Sequence, residues 1–309
     1  SSDLSKGMES FSLTLHPGQS VKKAIIPLAG YGTREFPATK CLKKCFLPLL
    51  DSDGILKPAL LIMLNELINA GIEEICLVVG EDEVGIFEEF FGAISKEYYD
   101  SLPNNKKAIL KEIRELRNYI TFVIQKERQG FGHAVWLCKS FADNNPVLLL
   151  LGDFLYKSEI EVSCCSQVME AFVEKGKTLV SIEEVPLNRV SHYGILSGSW
   201  IDNGVMEVSR MVEKPTTDYA EEYLSVYNLK KEKKYYSTFG QYVLTHEVFD
   251  ELDEMISQGE KDGKEYQLTT ALDRVREKHG MIAYEPNGRS YDIGLPETYY
   301  QTFVEFGRG

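Results

Sequence analysis

The stretch AIIPLAGYGTREFPATK, residues 24–40, decides the fold. Its first six residues form a short apolar run, typical of a buried strand, that stops at Gly30 and enters a loop with a second glycine at position 32. Glycines let a backbone pass close to a ligand, and the peptide N–H groups around them can point at phosphate oxygens. The loop has neither the third glycine of the dinucleotide fingerprint nor the GK[ST] of a P-loop. Any tight turn can contain two such glycines, so they alone do not identify a phosphate-binding loop.

Strands and helices alternate through the first 185 residues. The apolar runs that predict strands are 24–29, 75–79, 120–125, 147–151 and 178–185, and the helices predicted between them are 58–70, 106–119, 132–143 and 158–175. Such alternation predicts a parallel sheet built from right-handed crossovers. In sheets of this type, ligands bind at the carboxyl ends of the strands.

The second half of the chain has a different pattern. Residues 194–199 and 205–212 flank an Asn203-Gly204 turn signal, which predicts a β-hairpin. The remaining predicted elements are strands at 238–244 and 283–286 and helices at 246–256, 268–278 and 297–306. We expect an α/β fold, with a mostly parallel, doubly wound, Rossmann-like sheet, helices on both faces and a small β-hairpin extension. We expect residues 1–20 to be an N-terminal tail or an added remnant, and residues 21–309 to form a single domain with halves 21–185 and 186–309.

The composition excludes several classes of partner. The 309 residues include 47 acidic and 34 basic side chains, so the net charge is -13. This argues against salt-driven binding to nucleic acid or to an anionic membrane. No apolar stretch approaches the roughly 20 residues of a membrane span. The six cysteines include no CxxC pair, which favours free thiols in a reducing cytoplasm.

A basic cluster opposes this acidic background beside the first strand. Arg34, Lys40, Lys43 and Lys44 lie within eleven residues of one another. Such a cluster can be ordinary surface charge. At the end of a strand that leads into a glycine loop, it is better suited to neutralising a triphosphate.

The run AGYGTREFPATK resembles the AGxGTRxxPxTK signature of the sugar-nucleotide pyrophosphorylases, and its ATK ending most resembles the bacterial UTP–glucose-1-phosphate uridylyltransferases. The resemblance extends from about residue 22 to residue 307. The other matching motifs are Gln125, Gly130-Phe131-Gly132-His133-Ala134, Asp153, Tyr193-Gly194, Glu213-Lys214-Pro215, Gln267-Leu268-Thr269 and Asp292-Ile293-Gly294. It implies the nucleotide-diphospho-sugar transferase fold and an enzyme that makes UDP-glucose and pyrophosphate from UTP and glucose 1-phosphate. It also implies Mg²⁺ as cofactor and a homo-oligomer.

The resemblance implies roles for particular residues. The implied nucleotide-binding residues are Leu28, Ala29, Gly30, Tyr31, Gly32, Thr33, Gln125 and Gly130, and the implied sugar-phosphate-binding residues are Tyr193, Gly194, Glu213 and Lys214. It implies that Asp153 and Asp292 hold the metal and that Arg34, Lys44, Asp153 and Lys214 are catalytic. Mg²⁺ prefers carboxylate oxygens, and Asp153 ends a strand where it can face the cleft. Taken without the resemblance, either aspartate could equally cap a helix.

Two departures from the family pattern leave the substrate open. Family members commonly read PKEMLP after ATK, whereas here Lys43 replaces the proline and Cys45 replaces the glutamate. Because this stretch lies beside the implied nucleotide pocket, the same reaction with dTTP, CTP or GTP and another sugar 1-phosphate is an alternative. A second alternative is a non-catalytic sugar-nucleotide-binding module of a longer protein.

Overall fold

A computed structural model of the protein describes residues 19–228 and 231–308, so the predicted tail lies outside the described residues except for Gln19 and Ser20. The strands in these ranges are β1 (Lys23–Pro27), β2 (Pro48–Leu50), β3 (Leu56–Pro58), β4 (Glu74–Val79), β5 (Ile120–Ile124), β6 (Val147–Leu150), β7 (Phe154–Ser158), β8 (Leu179–Val185), β9 (Gly194–Asp202), β10 (Val205–Glu213), β11 (Val226–Tyr227), β12 (Lys233–Leu244), β13 (Ile282–Tyr284) and β14 (Gly288–Asp292). The α-helices are α1 (Ala59–Asn69), α2 (Val84–Phe91), α3 (Lys96–Ser101), α4 (Asn104–Leu116), α5 (Phe131–Trp136), α6 (Lys139–Ala142), α7 (Cys164–Lys175), α8 (Thr217–Tyr223), α9 (His246–Gln258), α10 (Leu268–His279) and α11 (Pro296–Glu305).

One large sheet carries the fold. Its strands follow the order β5-β4-β1-β6-β12-β8-β13-β10-β9, and β11 pairs with β12. The pairings β5–β4, β4–β1, β1–β6 and β8–β13 are parallel, whereas β12 runs antiparallel to both β6 and β8. The predicted mostly parallel sheet is therefore confirmed for the core strands. The sequence pattern did not indicate that β12 lies between β6 and β8.

Side chains of successive strand residues enter two separate cores, one on each face of the sheet. In β1, Ala24 and Ile26 pack with α1, α2 and α7, whereas Ile25 packs with α5, α9 and α10. This follows from the two-residue repeat of a strand. Residues of β1 and β4 are buried on both faces, which explains their continuous apolar runs. The prediction of helices on both faces is confirmed.

The predicted hairpin is β9 and β10, joined by Asn203 and Gly204. It belongs to an extension in which a third, small apolar cluster packs around Val190 and Ala220. The extension joins the main sheet through β12, whose Tyr236 and Ser237 pair with β9 while its residues 241–244 pair with β6.

Two predicted helices differ from the structure. The helix expected over 158–175 begins only at Cys164, where the Ser163 hydroxyl accepts the N–H of Ser166 as an N-cap. Its first predicted residue, Ser158, instead ends β7, which pairs antiparallel with β14, so that Asp292 lies opposite Phe154. The helix expected over 132–143 is divided into α5 and α6. Across the described ranges, no helix is long and apolar enough to cross a membrane.

Candidate active site

The loop after β1 turns sharply at Gly32. This residue has a φ of 63°, and the Thr39 hydroxyl donates to its carbonyl oxygen at 2.8 Å. A Cβ at Gly32 would lie 2.9 Å from Thr39 Cγ2, so the turn requires glycine. Within the described residues, no acceptor is bound to the peptide N–H of Gly30 or Tyr31. These two donors therefore remain available to an anionic ligand.

A first cavity of about 560 Å³ opens beside this loop, at the carboxyl ends of β1, β5 and β6. Of the eight residues predicted to bind the nucleotide, seven line it: Leu28, Ala29, Gly30, Tyr31, Thr33, Gln125 and Gly130. Gly32, the eighth, shapes the turn next to them. Lys43, Lys44 and Arg128 bring positive charge to the same cavity. The structure thus brings together predicted residues as far apart in the chain as Leu28 and Gly130.

Gln125 is buried in the wall of this cavity, and its orientation is determined by two neighbours. Its Nε2 donates to the Gly130 carbonyl at 3.3 Å and lies 3.1 Å from His133 Nδ1. Burial lowers the pKa of His133, so the neutral ring can accept this hydrogen bond. Both amide hydrogens are then used, and Oε1 is left as an acceptor. His133 therefore helps to orient the Gln125 amide.

Gly130 lets the loop before α5 pack closely on the segment before α10. Its φ is 109°, and a Cβ there would lie 2.7 Å from Glu265 Cβ and 2.8 Å from the Tyr266 carbonyl. The Tyr266 N–H donates to the Gln129 carbonyl at 2.8 Å. A larger residue at position 130 would force these two segments apart.

Asp153 lies at the centre of the site, in the short turn between β6 and β7. Its Oδ2 is 3.0 Å from Lys44 Nζ and 3.8 Å from Arg34 Nη2. The β7–β14 pairing brings Asp292 to the same place, and the Ile293 N–H donates to the Asp153 carbonyl at 2.8 Å. Burial, followed by the charge of Asp153, raises the pKa of the Asp292 carboxyl, although the Gly294 N–H donates to it. Two carboxylates thus share a partly desolvated space.

The space between these carboxylates is kept open by Gly294. A Cβ at this position would lie 2.6 Å from Asp153 Oδ2 and 3.0 Å from Asp292 Oδ1. Among the described residues, no group of three or more histidine, cysteine, aspartate or glutamate side chains has the arrangement of a metal site. The two aspartates could therefore supply two protein ligands to a cation, and the other positions around such an ion would be left to substrate and water oxygens.

A second cavity of about 390 Å³ lies on the other side of Asp153. Arg34 and Asp292 line it. It is also lined by all four residues predicted to bind the sugar phosphate, which are Tyr193, Gly194, Glu213 and Lys214. Asp153, Phe131 and Leu151 line both cavities. The two cavities are therefore two parts of one cleft, and they meet at the Asp153 carboxylate.

Glu213 is the last residue of β10, and Lys214 follows it. Lys214 has a left-handed backbone, with φ 47°, and its N–H donates to the Tyr193 carbonyl at 3.0 Å. Glu213 Oε2 accepts the Thr269 hydroxyl at 3.0 Å, and its Oε1 is 3.8 Å from Lys214 Nζ. A left-handed backbone conformation is strained for lysine, so the surrounding structure must hold Lys214 in it. The same conformation sets the direction of the Lys214 side chain.

Sequence reasoning missed two charged residues near the first cavity: Arg128, which lines it, and Glu83, which lies behind its wall. Arg128 stacks on the Tyr31 ring at 3.8 Å, and its Nε donates to the Ala29 carbonyl at 2.5 Å. Glu83 binds both Arg128 and Lys43. The signal for Arg128 was its position between the matching Gln125 and Gly130. Glu83 had no signal, because it is one of three consecutive acidic residues of ordinary appearance.

Comparison with known proteins identifies relatives along almost the whole chain. The nucleotidyl transferase family model matches residues 23–307. The chain is similar to UTP–glucose-1-phosphate uridylyltransferase of Staphylococcus epidermidis, at 36% identity over 93% of each chain, and to UTP–glucose-1-phosphate uridylyltransferase 2 of Staphylococcus saprophyticus, at 35% identity over 93% of this chain and 92% of that protein.

Two solved structures are also similar to it. One is a UDP-glucose pyrophosphorylase complexed with UDP-glucose, with a TM-score of 0.77 and 31% identity. The match covers 93% of this chain and 99% of that chain. A UTP-bound UGPase from Acinetobacter baumannii has a TM-score of 0.73 at 26% identity and covers 93% of each chain. The resemblance noted from the motifs is confirmed by these matches.

The cysteines provide a test of the cavity wall. All six are free thiols; Cys41 is exposed, whereas Cys45 lies buried in the wall of the first cavity. Burial raises the pKa of Cys45 to about 12. We expect a thiol reagent at pH 8 to modify only Cys41 of the native protein rapidly. The variant Cys41→Ser should therefore show no rapid modification. The unfolded protein, in which all six should react, is the control, and rapid labelling of Cys45 would contradict the described cavity.

Proposed function

The chain belongs to the nucleotidyl transferase family, and we propose that it converts UTP and glucose 1-phosphate to UDP-glucose and pyrophosphate. The observation that carries the proposal is the division of the cleft into two cavities that meet at Asp153. One cavity has the N–H groups and cations suited to a triphosphate. The other has a lysine and a carboxylate suited to a sugar phosphate. The names of the relatives support the identity of both substrates.

The reaction needs positioning more than it needs a reactive side chain. An oxygen of the sugar phosphate attacks the α-phosphorus of UTP, a new P–O bond forms, and the bond to the β-phosphate oxygen breaks, so that pyrophosphate leaves with the electron pair. The sugar phosphate is already ionised near pH 7, so no general base is required. The protein then acts by bringing two anions together and stabilising their charge.

In the first cavity we assign the phosphates to the glycine loop and the base to Gln125. The free N–H groups of Gly30 and Tyr31 can donate to phosphate oxygens, and Arg34 and Lys44 add positive charge near Asp153. With both amide hydrogens of Gln125 used, its Oε1 can accept the N3–H of uracil or thymine. Position N3 of cytosine is an acceptor instead, so this arrangement favours UTP or dTTP over CTP.

In the second cavity we assign the phosphate of the sugar to Lys214 and the sugar hydroxyls to Glu213. Lysine provides a compact charge for a phosphate group. The Thr269 hydroxyl holds Glu213 in place, and Gly194 leaves the carboxylate accessible, since a Cβ there would lie 3.1 Å from its Oε2. We also propose that residues 21–185 form the nucleotide-binding half and residues 186–309 the sugar-phosphate-binding half of one domain.

We propose Asp153 and Asp292 as the residues that hold Mg²⁺. Their donor atoms are the carboxylate oxygens that this ion prefers, and Gly294 leaves space between them. When bound, the ion would neutralise charge on the phosphate oxygens. The raised pKa of Asp292 reflects burial and repulsion from Asp153, which a cation between the carboxylates would relieve. We also propose a cytoplasmic location, because the six cysteines are unpaired.

The decisive experiment measures pyrophosphate release with glucose 1-phosphate, Mg²⁺ and each of UTP, dTTP, CTP and GTP in turn. We expect turnover with UTP to exceed turnover with CTP and GTP. If the protein turns over only a different nucleotide, the proposed reaction type is correct and the proposed nucleotide substrate is wrong. Binding of UDP-glucose without any turnover would instead support a non-catalytic module.

Replacing Asp153 tests the centre of the site. Asp153→Asn keeps the shape of the side chain and removes its charge, so we expect turnover to fall roughly a hundredfold to a thousandfold. The matched control is Asp143→Asn, an exposed position with φ 49° that asparagine tolerates. The measurement is the rate of pyrophosphate release at saturating substrates, and an unchanged rate would remove Asp153 from the mechanism.

Replacing Lys214 tests the division of the cleft. Lys214→Met removes one charge–phosphate contact, so the KM for glucose 1-phosphate should rise roughly tenfold to a hundredfold while the KM for UTP changes little. Lys111→Met, at a lysine whose side chain is 79% exposed on α4, is the control for loss of a positive charge. An equal rise in both KM values would contradict separate sites for the two substrates.

A further inference from the structure

We infer that Glu83 is a positioning residue that orients the phosphate-binding loop through Lys43 and Arg128. The inference rests on the proposed function, since it assigns a task to groups that would bind UTP. Glu83 is not among the residues that line the first cavity. It acts from behind the cavity wall, through two cations that do line it.

Both oxygens of Glu83 are occupied. The residue ends a short 3₁₀ turn, Glu81–Glu83, that follows β4, and its side chain is 11% exposed. Its Oε2 accepts the Gly80 N–H at 2.8 Å, and its Oε1 lies 2.5 Å from Lys43 Nζ and 3.4 Å from Arg128 Nη2. A carboxylate held by three donors from three separate loops has a defined orientation.

The packing around Gly80 shows how close this approach is. A Cβ at Gly80 would lie 2.7 Å from Arg128 Nη2 and 2.9 Å from Glu83 Oε2. The cluster therefore depends on a glycine at the end of β4, as well as on its charged members.

Each of the two cations also donates to the loop after β1. Arg128 Nε donates to the Ala29 carbonyl at 2.5 Å, and Lys43 Nζ donates to the Gly30 carbonyl at 3.4 Å. In a planar trans peptide the C=O and the following N–H point in opposite directions. Because the carbonyls of Ala29 and Gly30 point toward the two cations, the N–H groups of Gly30 and Tyr31 point away from the cations. Those are the same two N–H groups for which the described residues provide no acceptor.

The cluster joins the carboxyl ends of three adjacent strands. Ala29 and Gly30 follow β1, Glu83 follows β4, and Arg128 follows β5, and these strands are neighbours in the sheet. Lys43 completes it at the position where the family pattern commonly has proline. A proline has no side-chain donor, so this link to the Gly30 carbonyl requires the residue present in this chain.

A simpler role for Glu83 would be to offset excess positive charge. The two roles predict changes of opposite sign. If Glu83 only neutralises Lys43 and Arg128, its removal leaves the pocket more positive and UTP should bind more tightly. If Glu83 orients them, its removal releases both cations from the loop and UTP should bind more weakly.

The test compares Glu83→Gln with Glu81→Gln in steady-state assays that vary UTP and glucose 1-phosphate separately. Glu81 belongs to the same turn, but its side chain is 71% exposed and pairs with Lys126 at the surface. For Glu83→Gln we expect the KM for UTP to rise about tenfold and the KM for glucose 1-phosphate to stay unchanged. For Glu81→Gln we expect both values to match the unmodified protein.

A second variant separates positioning from general loss of structure. Arg128→Lys keeps the charge but lacks the guanidinium fork that reaches the Ala29 carbonyl and Glu83 together. It should raise the KM for UTP by a similar factor, and the double variant Glu83→Gln/Arg128→Lys should lose less than the product of the two single effects, because both act on the same contacts. If Glu83→Gln does not fold, Glu83→Asp, which keeps the charge but has a side chain one methylene shorter, takes its place in the single and double variants.

The outcomes distinguish this inference from the proposed function. If the unmodified protein releases no pyrophosphate with UTP, the proposed function is wrong. If it does so, and the KM for UTP is unchanged or lower in Glu83→Gln, or the effects of the two single variants simply multiply, the positioning role is wrong.

Discussion

The antiparallel pairing of β7 with β14 is the interaction on which the site depends. It joins two five-residue strands that are distant in the chain, Phe154–Ser158 and Gly288–Asp292, and its register places Asp292 opposite Phe154, directly beside Asp153. One carboxylate thus comes from the end of a core strand and the other from near the end of the chain. Any slip of this register by one residue would turn Asp292 to the opposite face. The two cavities would then no longer share a centre with two carboxylates.

Placing two carboxylates together is unfavourable unless positive charge lies nearby. Lys44 and Arg34 provide it from the loop after β1, and Glu35 lies on the other side of Lys44, 3.9 Å from its Nζ. The carboxylate oxygens of Glu35 are buried without a hydrogen-bond partner among the described residues, so Lys44 is their nearest compensating charge. The centre of the site is therefore a set of alternating charges inside an acidic protein. The protein's net charge of -13 describes its surface and not the cleft.

Much of the fold could be predicted because its core strands are buried on both faces and read as unbroken apolar runs. β1, β4 and β6 were recognised in this way. The β7–β14 pair was missed because FLYKS and GRSYD are short, partly polar and paired only with each other. The resemblance implied that Asp153 and Asp292 hold one metal together, but no periodicity in the sequence indicated the strand pairing that brings them close to each other. Glu83 and Arg128 were missed for a related reason, since their significance comes only from contacts between distant loops.

The loop after β1 illustrates how the departures at positions 43 and 45 fit the structure. Cys45 is buried in the cavity wall and its raised pKa keeps it neutral, so it contributes shape and no charge. Lys43, in contrast, has a partner in Glu83 and a contact with the Gly30 carbonyl, so its charge is engaged on the side of the loop away from the free N–H groups. The two substitutions therefore act in different ways. The first changes the lining of the first cavity, and the second changes how the peptide groups of the loop are held. Under the proposed function, a change in lining would bear on which base is accepted, whereas a change in how the loop is held would bear on how firmly the phosphates are bound.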